Sequence, residues 1–542
     1  MLTRLKARLA QRRIDPDAAI LAPYHRRSWV QRNRKKCLAA LLIFTFFYSV
    51  LFTLIGPFLP MPFAVPILVL GLVVLWLLPE NDRPPTGLME KLLFAMIVAL
   101  MGWPDYLAFA FGNLPWITLM RLTVFPLGFC LLMCVSVSPT FRREMAERLN
   151  AVKPAWIMLA GITILGLLTI PLSSRVSTTT NRFVILLFYW VVPFFAAVWV
   201  FTRPKRIVWL AHTIWGLAVF VCLIGIWEWR YSRVPWAGRV PSFLKIEDES
   251  VQRILSGSAR AATGIYRVQS KFTTSLGLAE FISYALPFIV HIALTTRSQI
   301  IRVLSVGSIP LILFINVKTD SRIGFIGMTM TILLYGLGWA LLRWRRNADS
   351  VFAPATVLAY PAVMVMTILS TFFVPRMRAQ VWGNGPQAAS NETRRQMYEQ
   401  GIPMILKQPW GHGLGEGALR LGFYNGNGIL TIDTYWIAVG LELGLLGFIL
   451  YYGLFGLMIW RIGRAIAAAP DRDTLYLLPI GIVLCNFFVI KSVFSQVENH
   501  PMIFTLLGAG VALLWRVYEA VPSARPGRAP APMVRGGGLS PA

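Results

Sequence analysis

Between two apolar runs, residues 395–447 carry Arg395-x-x-Tyr398, Pro409-Trp-Gly411-His412-Gly413-Leu-Gly415, Asp433-Thr434 and, nine residues on, Gly444-Leu-Leu-Gly447. The first half of this stretch is too polar and too rich in glycine to cross a bilayer, so it forms a polar site facing the membrane surface. A carboxylate such as Asp433 can accept a proton from a hydroxyl, and His412, among glycines that permit close backbone approach, is the second candidate for that task. The competing readings are a helix cap for Asp433 or Thr434 and a glycine-rich turn for His412. Arg267, Arg322 and Arg395 come from segments far apart in sequence, yet each stands at the edge of an apolar run. Together they indicate an anionic ligand; the alternatives are a solvated basic face for Arg267 and Arg395 and a pair with nearby Asp320 for Arg322.

Composition sets where these residues work. With 56% hydrophobic and 14% charged residues and a mean hydropathy of +0.61, the chain has more apolar surface than one soluble core can hide. The expected fold is all-α, a polytopic transmembrane bundle of about twelve to fourteen spans with loop helices on one side. No cleavable signal peptide is recognisable ahead of the first span. The first 36 residues hold eleven Lys and Arg, and basic clusters recur at Arg142-Arg143, Arg203–Arg206, Arg343–Arg346 and Arg461–Arg464. By the positive-inside rule these lie in the cytoplasm with both termini, the acidic stretch Glu80–Glu90 being the one dissenter. The organisation is then a basic segment at 1–36, transmembrane helices over 37–228, a second membrane region over 229–519 and a disordered tail at 520–542. Two long basic loops, near 229–274 and 375–434, face outward.

Several functions are disfavoured. Cys37, Cys130, Cys134, Cys222 and Cys485 all fall in expected spans, which leaves no disulfide framework, and no zinc-type Cys/His spacing or phosphate-binding loop occurs. The basic residues are divided by membrane spans rather than gathered on one soluble surface, so nucleic acid is not an expected partner. Glu280, Glu442 and Lys491 lie inside spans, where internal pairing is expected.

Arg267 before one span, Thr319-Asp-Ser-Arg322 at a junction of two, Pro409-x-Gly-x-Gly-x-Gly and a polar pair nine residues before Gly-x-x-Gly together resemble the O-antigen ligase and polymerase superfamily, the Wzy-type C-terminal domain family. The resemblance is best from about 228 to 447. It implies a GT-C-like membrane glycosyltransferase at the periplasmic face of the bacterial inner membrane. Such an enzyme takes a glycan from undecaprenyl diphosphate to an acceptor glycan without metal, nucleotide sugar or other cofactor. Membrane lipids and a chain-length regulator are the further partners it implies. Arg267, Arg322 and Arg395 would then bind the diphosphate, since a guanidinium offers paired donors to phosphate oxygens and stays charged beside lipid. Asp433 stands where the ligases place a histidine, which favours a polymerase of repeat units in exopolysaccharide or O-antigen synthesis. A ligase joining glycan to lipid A-core, or a lipid-linked glycan flippase, are the alternatives.

Overall fold

The structure, a computed structural model, describes residues 83–109, 117–241, 244–245, 266–346, 351–375, 378, 388–424 and 430–521, with isolated positions between 33 and 73. The chain divides into two units, residues 1–82 with 136–138, and residues 83–135 with 139–542. In the first, Lys36, Ala39, Ala40, Ile43, Phe47, Gly71 and Val73 are helical. The other residues of 37–82 in the transmembrane region expected over 37–228, most of the basic segment at 1–36 and the tail from 522 lie outside the described residues, as do parts of both long loops.

Among the described residues the second unit is mainly helical, with a two-residue antiparallel pair, β1 (Ala108–Phe109) with β2 (Leu244–Lys245), and isolated bridges Phe109–Ile117 and Tyr424–Leu430. Its helices are α1 (Thr86–Gly102), α2 (Leu119–Val137), α3 (Pro139–Asn150), α4 (Lys153–Leu168), α5 (Val176–Val200, with a π turn at Leu187–Val191), α6 (Arg206–Tyr231), α7 (Ser275–Thr295) and α8 (Gln299–Lys318). There follow α9 (Arg322–Arg346), α10 (Phe352–Phe373), α11 (Ala388–Lys407), α12 (Gly417–Leu421), α13 (Tyr435–Ala465), α14 (Leu477–Ile490) and α15 (His500–Ala520). Ten of these are long and apolar enough to cross a membrane, and α14, with the turn at Thr474 before it, is a shorter apolar helix. Within the transmembrane region expected over 37–228, α1 stops at Gly102, because Pro104 cannot continue the ladder of backbone bonds.

Helices α7 and α15 are buried almost throughout and form the centre, whereas no residue in the apolar window of α10 is buried. Lipid competes equally well for apolar side chains, so close approach and internal polar pairing must hold such a bundle. Both occur. A Cβ on Gly508 of α15 would meet the Phe194 carbonyl of α5 at 2.2 Å. Lys491 and Glu280, expected to be internally paired, meet at 2.7 Å with both side chains fully buried. Asn499 and Tyr284 donate to the same carboxylate at 2.6 and 2.8 Å.

Cross-ties sort the turns into two ends. At one end Arg203 and Arg206 pair with Glu90 at 3.2 and 2.6 Å. There too the Lys205 amide donates to Asp473 at 2.7 Å, and Arg516 pairs with that carboxylate at 3.2 Å. Glu90, in the dissenting acidic stretch, thus shares an end with the basic cluster. At the other end lie Ser174, Arg175, Arg267, Thr319, Tyr398, Glu416, Ile432 and the segment 491–499.

Candidate functional site

Three connected features make up this second end. In the first, Arg267 donates from Nε to the Thr319 carbonyl at 2.9 Å and from a terminal nitrogen to the Asp320 carbonyl at 3.0 Å. The Val268 amide adds a bond to the Lys318 carbonyl at 3.1 Å. Asp320 takes positive φ, 46°, in the tight α8–α9 turn, and Arg322 opens α9 immediately after it. Arg267 and Arg322 are therefore brought to one turn, although 55 positions separate them in sequence. Glu228 secures the same loop by accepting from the Tyr266 hydroxyl at 2.7 Å and the Gln269 amide at 3.2 Å.

The second feature is the start of α13. Thr434 is the Ncap but its side chain caps nothing. Its hydroxyl lies 2.9 Å from the Tyr398 hydroxyl, which also donates to the Ser492 carbonyl at 2.7 Å. The Asp433 carboxylate accepts from Thr431 at 3.4 Å, and its backbone amide points to the Met397 sulfur at 3.3 Å. On α11 the charged residue on the side of this carboxylate is the half-buried Arg394, with no ion pair between the two among the described residues. Burial lowers the Arg394 pKa, and the charges of Asp433 and Tyr398 oppose that. Arg395 points the other way, with its side chain 66% exposed and paired to Glu392 at 2.9 Å and Glu399 at 3.7 Å. Sequence reasoning missed Arg394, although helical spacing signals it. Arg394, Met397, Tyr398, Gly401 and Ile405 form one i, i+3, i+4 face, and Arg395 belongs with Glu392 and Glu399 on the opposite one.

The third feature explains the glycines. Gly444 inside α13 has φ 74° and ψ −176°, a conformation essentially confined to glycine. Ring centroids of Tyr435 and Tyr451 lie 5.6 Å apart and those of Trp436 and Tyr452 5.2 Å apart. Residues sixteen apart in a continuous helix would be separated by about 24 Å. Tyr435–Leu443 is therefore an arm folded back on Leu445–Tyr452, and the segment is not one straight span. The 409–415 loop docks at this fold. His412 and Gly413 amides donate to the Leu441 and Glu442 carbonyls at 2.8 and 3.0 Å, and the Leu445 amide to the Pro409 carbonyl at 2.9 Å. A Cβ on Gly411 would lie 2.5 Å from the Glu442 carbonyl, and one on Gly444 2.0 Å from the Pro409 carbonyl. Gly411, Gly413 and Gly415 all have positive φ. Near His412 stand Arg420 and Glu416, whereas Asp433 lies at the other end of the arm; the two candidate bases are not brought together. Burial and then Arg420 lower the His412 pKa, with Glu416 opposing.

The segment Lys491–Asn499, also unforeseen as part of the site, ties these features together. Its Ser495 hydroxyl donates to the Ile432 carbonyl, Thr274 donates to Gln496 at 2.8 Å, and the Tyr435 amide donates to the Lys491 carbonyl at 3.0 Å. Glu498 accepts from the Thr273 amide at 3.2 Å beside buried Lys271. Burial raises the Glu498 pKa, with Lys271 the largest opposing influence.

Among the described residues no group of three or more His, Cys, Asp or Glu side chains is arranged to hold a metal ion. A search of curated proteins finds no match to this chain. A family model does match, and it covers the α8–α9 turn, Arg394, the glycine loop and the fold at Gly444, leaving Arg267 and the 491–499 segment outside. Residues 307–452 match the model of the O-antigen ligase (Wzy_C) family, the superfamily that the chain's motifs resemble.

Proposed function

We propose that the chain is a periplasmic-face glycosyltransferase of the bacterial inner membrane that polymerises undecaprenyl diphosphate-linked repeat units in exopolysaccharide or O-antigen synthesis. The family match supports a membrane enzyme of O-antigen or polysaccharide assembly. The observation that carries the finer reading is the α13 start. It holds a carboxylate hydrogen-bonded by Thr431, with the half-buried Arg394 close enough to feel its charge, at the bundle end where Arg267 is tied to the turn that begins α9.

In this reading Arg267 and Arg322 hold the donor's diphosphate, and Arg394 serves at the place assigned from sequence to Arg395. The acceptor hydroxyl oxygen attacks the anomeric carbon and the bond from that carbon to the diphosphate oxygen breaks. The electron pair leaves on the carrier diphosphate, whose charge the guanidiniums stabilise. Asp433 accepts the hydroxyl proton, so charge and atoms balance. His412, held at the far end of the arm, serves as a loop residue near the acceptor side.

Replacing Asp433 with Asn tests this. The carboxamide keeps shape and hydrogen bonding but cannot take the proton. The expected result is normal insertion, loss of polymer and accumulation of lipid-linked units on the outer leaflet. Normal polymer from Asp433→Asn with none from His412→Ala would transfer the base to His412. Units trapped on the cytoplasmic leaflet would indicate a transporter.

A further inference from the structure

A second cluster of arginines surrounds the glycine loop, and two of them come from outside the family-matched segment. Ser174 Oγ and Arg175 Nε hold the Glu416 carboxylate at 2.6 and 2.9 Å, and Arg175 also reaches the Gly415 carbonyl at 3.3 Å. Arg182, two turns into α5, runs along the same glycine: a Cβ on Gly415 would meet its Cγ at 3.0 Å and its Nε at 3.5 Å. Arg420, one turn beyond Glu416, acts on both Glu416 and His412. Its Nε is buried with no hydrogen-bond partner among the described residues.

Three guanidiniums thus converge on Gly415–Glu416, opposed by Glu416 and by Glu442, whose carboxylate the Gly415 and Gly417 amides already hold. Docking the loop occupies only the donors of Arg175. Those of Arg182 and Arg420 are not used in it, and Arg182 stands exposed at the polar start of α5, just ahead of its apolar run, where a long cationic side chain reaches the membrane surface. The cluster is distinct from the Arg267–Arg322 turn. It attaches to the folded-back arm at Leu441–Glu442, about 12 Å by helical rise from Asp433 at the arm's other end.

We propose that Arg182 and Arg420, with Arg175 beside them, form a second phosphate site that takes the diphosphate head group of the acceptor's own polyprenyl carrier. This rests on the polymerase reading, since joining two carrier-borne units requires two head groups at one membrane face. The donor's head group is released from Arg267 and Arg322, while the acceptor's stays bound with the lengthened chain. Paired planar donors suit phosphate oxygens, and the neighbouring His412 adds a hydrogen-bonding ring.

The test is the stoichiometry of geranylgeranyl diphosphate on the purified full chain in detergent, read by native mass spectrometry. Wild type should bind two equivalents, and the Arg182→Ala/Arg420→Ala variant one. Arg267→Ala/Arg322→Ala should also bind one, and the four-fold variant none. If the Ala pair loses both equivalents through misfolding, the Arg182→Lys/Arg420→Lys variant decides: one equivalent supports the site and two overturn it. A single equivalent on wild type, or displacement of the second by phosphatidylglycerol, also overturns it. Two equivalents through these arginines in a chain that assembles no polymer would overturn the polymerase reading and leave the site standing.

Discussion

At the residue scale, adjacent arginines on one helix receive opposite surroundings, because successive positions are about 100° apart around the axis. Arg394 turns toward Met397, Tyr398 and Asp433, and Arg395 toward Glu392, Glu399 and solvent. Exposed ion pairs of the second kind contribute little. Arg395→Ala is therefore expected to leave polymer formation within about twofold of wild type. Arg394→Ala, which removes the half-buried positive charge nearest Asp433 on α11, should reduce it by about a hundredfold, as loss of one electrostatic stabiliser does. Polymer yield normalised to membrane-inserted protein measures both, and equal yields would remove Arg394 from the site. His412 offers a second test. Burial and the Arg420 charge hold its pKa below the ordinary 6.5, so the fold favours the neutral ring. A depressed histidine costs stability only once pH falls below the unfolded value. Arg420→Gln removes one of the two causes, and the pH midpoint for diethylpyrocarbonate modification of His412 should move upward. An unchanged or lower midpoint would mean that Arg420 does not face the ring.

At the scale of elements, the two glycine motifs have a joint purpose that neither shows alone. Gly411 and Gly444 are each the surface against which the other's backbone packs, and a methyl group at Gly444 would overlap the Pro409 carbonyl while forcing an unfavourable φ. Gly444→Ala should thus undo the fold of α13, with a loss of about 3 kcal/mol or more from backbone strain and overlap together. Gly456, farther along the same helix, has open space where its Cβ would stand. Gly456→Ala should be neutral or stabilising by up to about 1 kcal/mol. Thermal unfolding of both variants in detergent checks this, and equal melting points would mean that the fold at Gly444 is not held by its glycine. These motifs were legible in the sequence as a polar site at a membrane edge, and Arg267 and Arg322 were legible as residues of one level. The fold-back was not. Tyr435–Ile459 reads as an ordinary apolar span, and only the contacts of Tyr435 and Trp436 across Gly444 reveal two arms. Segment 491–499 was missed for a related reason, since its role lies in bonds to residues more than 50 positions away.

At the scale of the whole molecule, the candidate site depends on α7, α13, α14 and α15 keeping their mutual depth in a setting where apolar packing alone sets depth weakly. The Lys491–Glu280 pair supplies that register from the end of α14 to the second turn of α7. Removing one partner strands a buried charge, so Lys491→Met should cost about 3–5 kcal/mol, and adding Glu280→Gln should restore most of it. Unfolding of the single and double variants measures the coupling, and additive losses would deny it. Sidedness follows from the two sets of cross-ties. Arg203, Arg206, Arg516, Glu90 and Asp473 are joined at one end, where the positive charge of the short loops is concentrated. Tyr398, Glu416 and the 491–499 segment are joined at the other. If the first end is cytoplasmic, a cysteine introduced at exposed Gln400 should react with a membrane-impermeant maleimide in intact cells, and one at exposed Arg472 only after permeabilisation. The described native cysteines, Cys130, Cys134, Cys222 and Cys485, lie in buried or half-buried helix positions and give a low background. Labelling of Arg472→Cys but not Gln400→Cys in intact cells would reverse the molecule. It would put Asp433 and both arginine clusters on the cytoplasmic side, where a transferase acting on outward-facing lipid-linked glycans has no substrate.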